Sequence, residues 1–138
     1  MIKKFKVGDV YFEKWRPTFD KVKQYADISG DHNPIHTDIN AAKKIGKENI
    51  IIHGNLACSI ISKVIGMNFP GNGSVILEQN ISFSNPIFPD DLIKFEFLIE
   101  SVNYNLNVIE IKVNAFKCPG ENVRNKCTVI RGKVICQV

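Results

Sequence analysis

The chain has 138 residues, a length that fits one domain, and we predict that residues 1–138 form it. Hydrophobic residues make up 44% and charged residues 23%, which excludes the low-hydrophobicity, high-charge composition of disordered chains. The formal net charge is +4, with 18 Lys and Arg against 14 Asp and Glu, and without a clustered basic stripe this excess indicates no nucleic acid partner.

The four cysteines show no Cys-x-x-Cys pair and no His/Cys spacing typical of a metal site. The first residues, MIKKFKVGDVYFEKW, lack the apolar run of a secretory signal, so we predict free thiols in a cytoplasmic protein. The longest apolar stretches fall short of the roughly 18 residues that a membrane span needs, and no membrane partner is predicted.

In chain order, residues 7–13 favour a hairpin, and a helix follows over residues 19–28. Thr18 is a suitable N-cap for this helix, its apolar residues recur every three or four positions, and Gly30 is placed to end it. The segment SGDHNPIH, residues 29–36, therefore begins at a helix C-terminus.

A short second helix is predicted after this segment. Thr37 or Asp38 is suited to cap it, and Gly46 occupies the place of a terminating glycine. Three of its apolar residues are expected to face inward: Ala41, Ala42 and Ile45. The segment 29–36 is accordingly predicted to be a loop between two helices.

The stretch IIIHGNLACSIISKVIGMNF, residues 50–69, favours a short buried strand, then His53 and Gly54, then an apolar helix over residues 55–67. The apolar positions of this helix cover a wide arc, which indicates burial on more than one side. They are Leu56, Ala57, Ile60, Ile61, Val64 and Ile65.

The second half of the chain alternates between apolar and polar residues, as strands buried on one face do. The clearest alternation lies in LIKFEFLIE, residues 92–100, and NVIEIKVNAF, residues 107–116, and further strands are predicted over 75–83 and 127–137. Helices followed by strands indicate an α+β fold, with an antiparallel sheet of about five strands wrapped around a central apolar helix.

Candidate chemistry concentrates in the segment 29–36. Asp31 and His36 lie five residues apart across a turn that Pro34 stiffens, so that a carboxylate and an imidazole are able to converge on one water. The alternative interpretation is a simple turn, because Asp and Asn often bond their own backbone in loops. Neither His36 nor His32 has a second ligand at a recognised spacing, and no metal is predicted.

A second candidate is Gly54, at the N-terminus of the apolar helix. Unpaired backbone N–H groups and the helix dipole favour a developing negative charge there, and the missing side chain lets a ligand oxygen approach. The alternatives are that Gly54 only lets the chain turn into the helix and that His53 only packs.

These residues carry a resemblance to a known family. The stretch YADISGDHNPIHTDINAA, residues 25–42, resembles the signature of the MaoC-like, R-specific enoyl-CoA hydratase family in every element. IIIHGNLA, residues 50–57, and FSNPIFPDDLIKFEF, residues 83–97, resemble two further segments of that family. The likeness runs from about residue 5 through nearly the whole chain, and the first motif is highly specific.

The resemblance implies a single hot-dog domain that forms a homodimer, with its sites near the subunit interface. It also implies a lyase of fatty acid metabolism, which hydrates trans-2-enoyl thioesters to (R)-3-hydroxyacyl thioesters or catalyses the reverse dehydration. Asp31 and His36 would activate the water, and the N–H of Gly54 would hold the thioester oxygen. The substrate is an acyl thioester of coenzyme A or an acyl-carrier protein, and no separate cofactor is implied.

Among the remaining site residues, Asn33 and Pro34 would shape the loop, while His53 and Asn55 would bind substrate or shape the site. Asn55 departs from the family pattern, which has Met there. Lys47 stands where an aromatic residue is common, and Asp90 occupies a glycine position. Two other functions stay open, an acyl-CoA thioesterase and a non-catalytic module that binds acyl chains.

Overall fold

The computed structural model describes residues 2–118 and 126–138. Five strands form one antiparallel sheet in the order β1-β3-β4-β5-β2. Their bounds are β1 Val10–Trp15, β2 Val75–Phe83, β3 Ile93–Asn103, β4 Val108–Lys117 and β5 Cys127–Gln137. The sheet confirms the predicted strand number and the antiparallel arrangement.

A single 3-10 turn at Ile2–Lys4 precedes β1, and four helices lie between β1 and β2. They are α1 Phe19–Ser29, α2 Pro34–Thr37, α3 Ile39–Lys44 and α4 Gly54–Met67. The helices thus precede most of the sheet in the chain, which confirms the α+β class. No helix in the described parts of the chain is long and apolar enough to cross a bilayer.

The core lies between α4 and one face of the sheet. In β3 the alternation places Ile93, Phe95, Phe97 and Ile99 on this inner face, fully buried. Residues of α4 complete the cluster: Leu56, Ala57, Cys58, Ile61, Val64 and Ile65. Each large apolar side chain buried here contributes about 1.5–3 kcal/mol, so α4 is fixed against the sheet along its length.

Helix α1 begins after Thr18 and ends before Gly30, as the sequence analysis predicted. The Thr18 hydroxyl accepts a hydrogen bond from the N–H of Lys21 at 3.3 Å, and Gly30 adopts a φ of 75° while its N–H bonds to the carbonyl of Ala26. A left-handed residue at this position ends the helix with a sharp turn. The chain consequently enters the segment 29–36 in a defined direction.

Two predicted strand features are wrong. Residues 7–13 form no hairpin, because Val10–Trp15 is one strand whose partners lie in β3, from Leu98 to Ile93. Residues 50–53 form no strand: they are mostly buried, but Ile51 N–H bonds to Ile35 and Ile52 N–H bonds to Ile87. Because these hydrogen bonds go to two separate segments, residues 50–53 do not pair with one neighbouring strand.

The short helix α3 is capped by Asp38, as predicted, and Ala42 is buried. Ile45 is 53% exposed, so its predicted inward orientation is wrong. The helix ends at Lys44, and the chain has left the helical path by the time it reaches Ile45. All four cysteines are free thiols, as predicted, and burial raises the pKa of Cys136 to about 11.

Gly132 provides a test of the β2–β5 pairing. A Cβ on Gly132 would lie 2.1 Å from the carbonyl oxygen of Asn80 and 2.9 Å from Cα of Ile81, which are backbone atoms of the paired strand. We predict that Gly132→Ala lowers the free energy of unfolding by about 1–3 kcal/mol, measured by urea denaturation.

Gly66→Ala is the matched control, because a Cβ there meets no heavy atom within 4 Å and Gly66 lies in α4. We expect this substitution to stabilise the protein by about 0.5–1 kcal/mol, since alanine restricts the unfolded chain and favours the helix. A Gly132→Ala variant as stable as the wild type would contradict the close strand approach.

Candidate active site

The segment 29–36 contains a helical turn that the sequence analysis did not predict. Asn33 caps α2, with its side-chain oxygen accepting from the N–H of Ile35 at 3.3 Å, and Pro34 occupies the first helical position. Proline suits this position because its φ is preset and it has no N–H to leave unpaired. The predicted loop between two helices is therefore partly helical, and Asn33 and Pro34 shape it.

Asp31 is held by three hydrogen bonds. Its N–H donates to the Ser29 hydroxyl at 3.1 Å, and its Oδ1 accepts from the N–H of Asn33 at 3.2 Å. Its carbonyl oxygen lies 2.9 Å from Nε2 of His53. The second carboxylate oxygen, Oδ2, has no hydrogen bond within residues 2–118 and 126–138, and the side chain is 51% exposed.

His36 faces this free oxygen. Its Nδ1 lies 2.5 Å from the carbonyl oxygen of Ile51, and because a carbonyl only accepts, Nδ1 carries the proton. Nε2 is then a bare acceptor, 4.0 Å from Oδ2 of Asp31. That distance is too long for a direct hydrogen bond, so both atoms keep their capacity to bind a third group.

His53 lies behind the pair and is 2% exposed. Its ring stacks on that of His36, with centroids 3.9 Å apart and planes inclined at 27°, and contacts Tyr25 on another side. Its Nε2 lies 3.9 Å from Oδ2 of Asp31. His32, by contrast, is exposed and lies near Asp27.

Asp31, His36 and His53 place one possible ligand atom each within 4.8 Å of the others, a spacing that a metal ion would accept. The hydrogen bonding does not suit one, because a ligating imidazole nitrogen must offer a lone pair and the Nε2 of His53, which lies near Oδ2 of Asp31, carries a proton. This Nε2–H donates to the Asp31 carbonyl.

Gly54 is the first residue of α4, and His53 is its N-cap. The N–H groups of Leu56 and Ala57 bond to the carbonyl of His53, whereas those of Gly54 and Asn55 have no acceptor in the described parts of the chain. Free N–H groups at the positive end of a helix dipole attract a negatively charged oxygen. The helix has 14 residues, enough for a full macrodipole.

Two neighbouring cavities share lining residues at this site. The smaller holds about 190 Å³ and is lined by Tyr25, Ser29, Asp31, His36, His53, Gly54 and Asn55. The larger is a cleft of about 500 Å³ lined by His36, Lys47, Ile51, Ile52, Gly54, Asn55, Phe83, Ser84, Asn85, Pro86 and Ile87. Three residues line both: His36, Gly54 and Asn55. The structure thus brings together five of the predicted site residues, while Asn33 and Pro34 line neither cavity.

Sequence reasoning missed Phe83 as part of the site. A Cβ on Gly54 would lie 2.9 Å from the Phe83 ring, so the ring covers the residue that offers the free N–H. Phe83 is the last residue of β2, 29 positions further along the chain, and no local pattern links it to Gly54. Tyr25 and Ser29 were missed as well, although both lie in or next to the quoted motif.

The departures from the family pattern fall in two places. Lys47 and Asn55 line the cleft. Asp90 does not line it, and its φ of 69° lies in the left-handed region that favours glycine. Its N–H bonds to the carbonyl of Pro17, and its carbonyl accepts from Arg16, which holds this turn against the start of α1.

Comparison with known proteins places this geometry in a family. Residues 6–115 match the model of the MaoC like domain. The solved structure of an (R)-hydratase from A. caviae involved in PHA biosynthesis superposes with a TM-score of 0.89 at 26% identity, covering 99% of this chain and 98% of that one. The sheet wrapped around α4 is therefore the hot-dog fold that the resemblance predicted.

Two curated relatives agree. An (R)-specific enoyl-CoA hydratase from Aeromonas caviae is 31% identical over 96 residues, 70% of this chain and 72% of the relative. A mitochondrial 3-hydroxyacyl-[acyl-carrier-protein] dehydratase from Arabidopsis thaliana is 39% identical over 86 residues, 62% of this chain and 51% of the relative, so the match spans about half of that protein. The chain belongs to the MaoC like domain family.

Proposed function

We propose that the protein catalyses the (R)-specific hydration of trans-2-enoyl thioesters to (R)-3-hydroxyacyl thioesters, or the reverse dehydration. The observation that carries this proposal is a pair of atoms, Oδ2 of Asp31 and Nε2 of His36, that lie 4.0 Å apart in the cavity lined by Gly54. Neither atom, nor the N–H of Gly54, has a hydrogen bond to any residue that the structure describes. Family membership and the names of the two curated relatives support it.

The proposed step begins with a water bound between Asp31 and His36. Because the Ile51 carbonyl holds the proton on Nδ1, the bare Nε2 of His36 is the base that accepts a proton from this water. The water oxygen forms a bond to the β-carbon of the enoyl thioester, and the electron pair of the double bond moves onto the thioester oxygen. The Gly54 N–H stabilises that developing charge.

The proton on His36 then goes to the α-carbon, which returns the imidazole to its starting state and completes the addition of water. Asp31 orients the water through Oδ2 and stabilises the imidazolium while it is charged. No electron is gained or lost in this sequence, so the proposed reaction requires no redox cofactor, and the coenzyme A or acyl-carrier portion enters as part of the substrate. Asn55 would line the wall beside the reacting carbons.

Substitution of the pair tests the proposal. We predict that Asp31→Asn and His36→Gln each lower kcat on crotonyl-CoA by about 10²–10⁴-fold, because each removes one partner of the water. Activity is followed as loss of enoyl-thioester absorbance. His32→Gln is the matched control, since His32 lies in the same segment with its side chain 60% exposed, and it should retain wild-type activity.

Full activity in both the Asp31→Asn and the His36→Gln variant would contradict the assignment. Release of free thiol from saturated acyl-CoA, without hydration of crotonyl-CoA, would instead favour a thioesterase. Binding of acyl-CoA without turnover, unaffected by Asp31→Asn, would favour a non-catalytic acyl-binding module.

Lys47 supports a substrate with a phosphate-bearing carrier. It is half-buried, it lines the cleft that contains Gly54, and the described lining contains no acidic side chain. Coenzyme A and acyl-carrier proteins share a phosphopantetheine arm, and a lysine in the approach attracts its phosphate. Lys47, in place of the family's aromatic residue, would thus add a contact for the phosphate to the cleft.

We predict that Lys47→Met raises KM for crotonyl-CoA about 10-fold, corresponding to the loss of one charge-assisted hydrogen bond. KM for the crotonyl thioester of N-acetylcysteamine, which lacks phosphate, should not change. Lys43→Met is the control, because Lys43 is exposed and lies outside the cleft lining. Equal changes in KM for both thioesters would show that Lys47 acts on the acyl end of the site.

We also infer that the protein is a homodimer joined along β2. This nine-residue strand lies at an edge of the sheet and pairs on one side with β5. It exposes large apolar side chains, with Val75 57% and Leu77 55% exposed. A long apolar edge strand is suited to pair with a second chain, and Phe83 at its end would bring the partner next to the cleft.

Charge on this edge should therefore dissociate the dimer. We expect the wild type to sediment as a dimer and Leu77→Lys as a monomer in analytical ultracentrifugation, because a buried lysine at the interface opposes pairing. Val10→Lys, on the opposite edge strand β1, is the control and should remain dimeric. A monomeric wild type, or equal dissociation by both substitutions, would contradict the β2 interface.

We infer in addition that residues 1–138 form one domain. The support is that β1, near the start of the chain, pairs with β3, while β5, near its end, lies between β4 and β2 in the same sheet. The cytoplasmic location stays a prediction from the sequence.

A further inference from the structure

His53 is an unusual residue for the core of this protein. It is the one polar or charged residue that is buried in the described parts of the chain, 2% exposed, and its Nδ1 has no hydrogen-bond partner there. An unpaired polar atom in the interior costs stability, since it has given up water without replacement. An apolar aromatic ring would therefore pack here at a lower cost, and packing alone does not account for an imidazole.

The other ring nitrogen has a defined task. Nε2 lies 2.9 Å from the carbonyl oxygen of Asp31, and because that oxygen only accepts, Nε2 carries the proton and Nδ1 is left as a bare lone pair. The bond spans 22 positions in the sequence. It joins the backbone of Asp31 to the residue directly before Gly54, and so ties the carboxylate to the N-terminus of α4.

The ring also supports the proposed base. It stacks on His36 at 3.9 Å, while Tyr25 contacts it at 4.9 Å and closes the small cavity on that side. One buried ring thus touches both members of the proposed catalytic pair and precedes the proposed oxyanion donor. Moving it would change the separation of Oδ2 of Asp31 from Nε2 of His36.

We infer that His53 is a positioning residue, which holds Asp31 by a hydrogen bond and His36 by stacking so that both reach the same water. The inference rests on the proposed function. A displacement of about 1 Å in a reacting group is enough to lower the rate about 100-fold. The loss of the hydrogen bond from His53 to Asp31 should therefore lower kcat. Substrate binding should change little, because His53 does not line the larger cleft.

Two variants separate positioning from packing. His53→Phe keeps a flat ring and removes both the Nε2 donor and the unpaired Nδ1. The hydrogen bond that is lost is to the backbone carbonyl of Asp31, in an exposed segment, and we expect water to replace it. We expect an unchanged or raised Tm, a kcat on crotonyl-CoA about 10–100-fold lower, and KM within about 2-fold of the wild type. His53→Gln keeps an N–H donor but no ring.

We expect His53→Gln, which keeps a donor for the Asp31 carbonyl but loses the ring stacked on His36, to be less stable than His53→Phe and also to lower kcat with KM within about 2-fold of the wild type. A wild-type kcat in either the His53→Phe or the His53→Gln variant would overturn the inference. A change confined to KM would also overturn it, because it would place His53 in contact with the substrate.

The wild type separates this inference from the proposed function. If the wild type hydrates no enoyl-CoA, the proposed function fails. The hydrogen bond between His53 and the Asp31 carbonyl is then tested by ¹⁵N NMR of the histidine rings. We expect a slowly exchanging Nε2–H and an unprotonated Nδ1 for His53, because the Asp31 carbonyl accepts the Nε2–H and Nδ1 has no partner in the described parts of the chain. A proton on Nδ1 of His53 would overturn the inference independently of turnover.

Discussion

Three hydrogen bonds hold Asp31, and they use every polar atom of the residue except Oδ2. The other features of the proposed site depend on this constraint. A carboxylate that is free to rotate would form hydrogen bonds with water in many orientations. In Asp31, by contrast, one oxygen is directed toward Nε2 of His36. His36 is constrained in the same way, because the Ile51 carbonyl takes its Nδ1–H and leaves a single bare nitrogen. The orientation of both side chains and the tautomer of His36 are thus set by neighbours before substrate arrives.

The core supplies the rigidity that this arrangement needs. Ile61 and Val64 of α4 are fully buried against the sheet, so the N-terminus of the helix, with Gly54, has little freedom to move. His53 connects that rigid end to Asp31, which lies on a half-exposed segment with few apolar contacts of its own. The segment 29–36 is therefore ordered mainly by hydrogen bonds, one of which joins it to the N-terminus of the packed helix α4.

The sequence predicted the features that depend on local chemistry. Thr18 and Gly30 cap α1 as expected, and the alternation in β3 and β4 identified the buried face. The errors have a common cause. Residues 10–15 and 50–53 have patterns that suit several partners, and only the tertiary structure decides whether the partner is β3, Ile35 or Ile87. The same holds for the Phe83 ring on Gly54 and for the stacked histidines, which join distant parts of the chain.

The central claim is that Asp31 and His36 act on one water while Gly54 holds the thioester oxygen. The most direct test is a crystal structure of the Asp31→Asn variant with crotonyl-CoA bound. The account predicts a water within about 2.6–3.2 Å of both residue 31 and Nε2 of His36, facing the β-carbon. It also predicts the thioester oxygen about 2.7–3.1 Å from the Gly54 nitrogen. A thioester bound away from Gly54, or a β-carbon out of reach of any water on His36, would contradict the account.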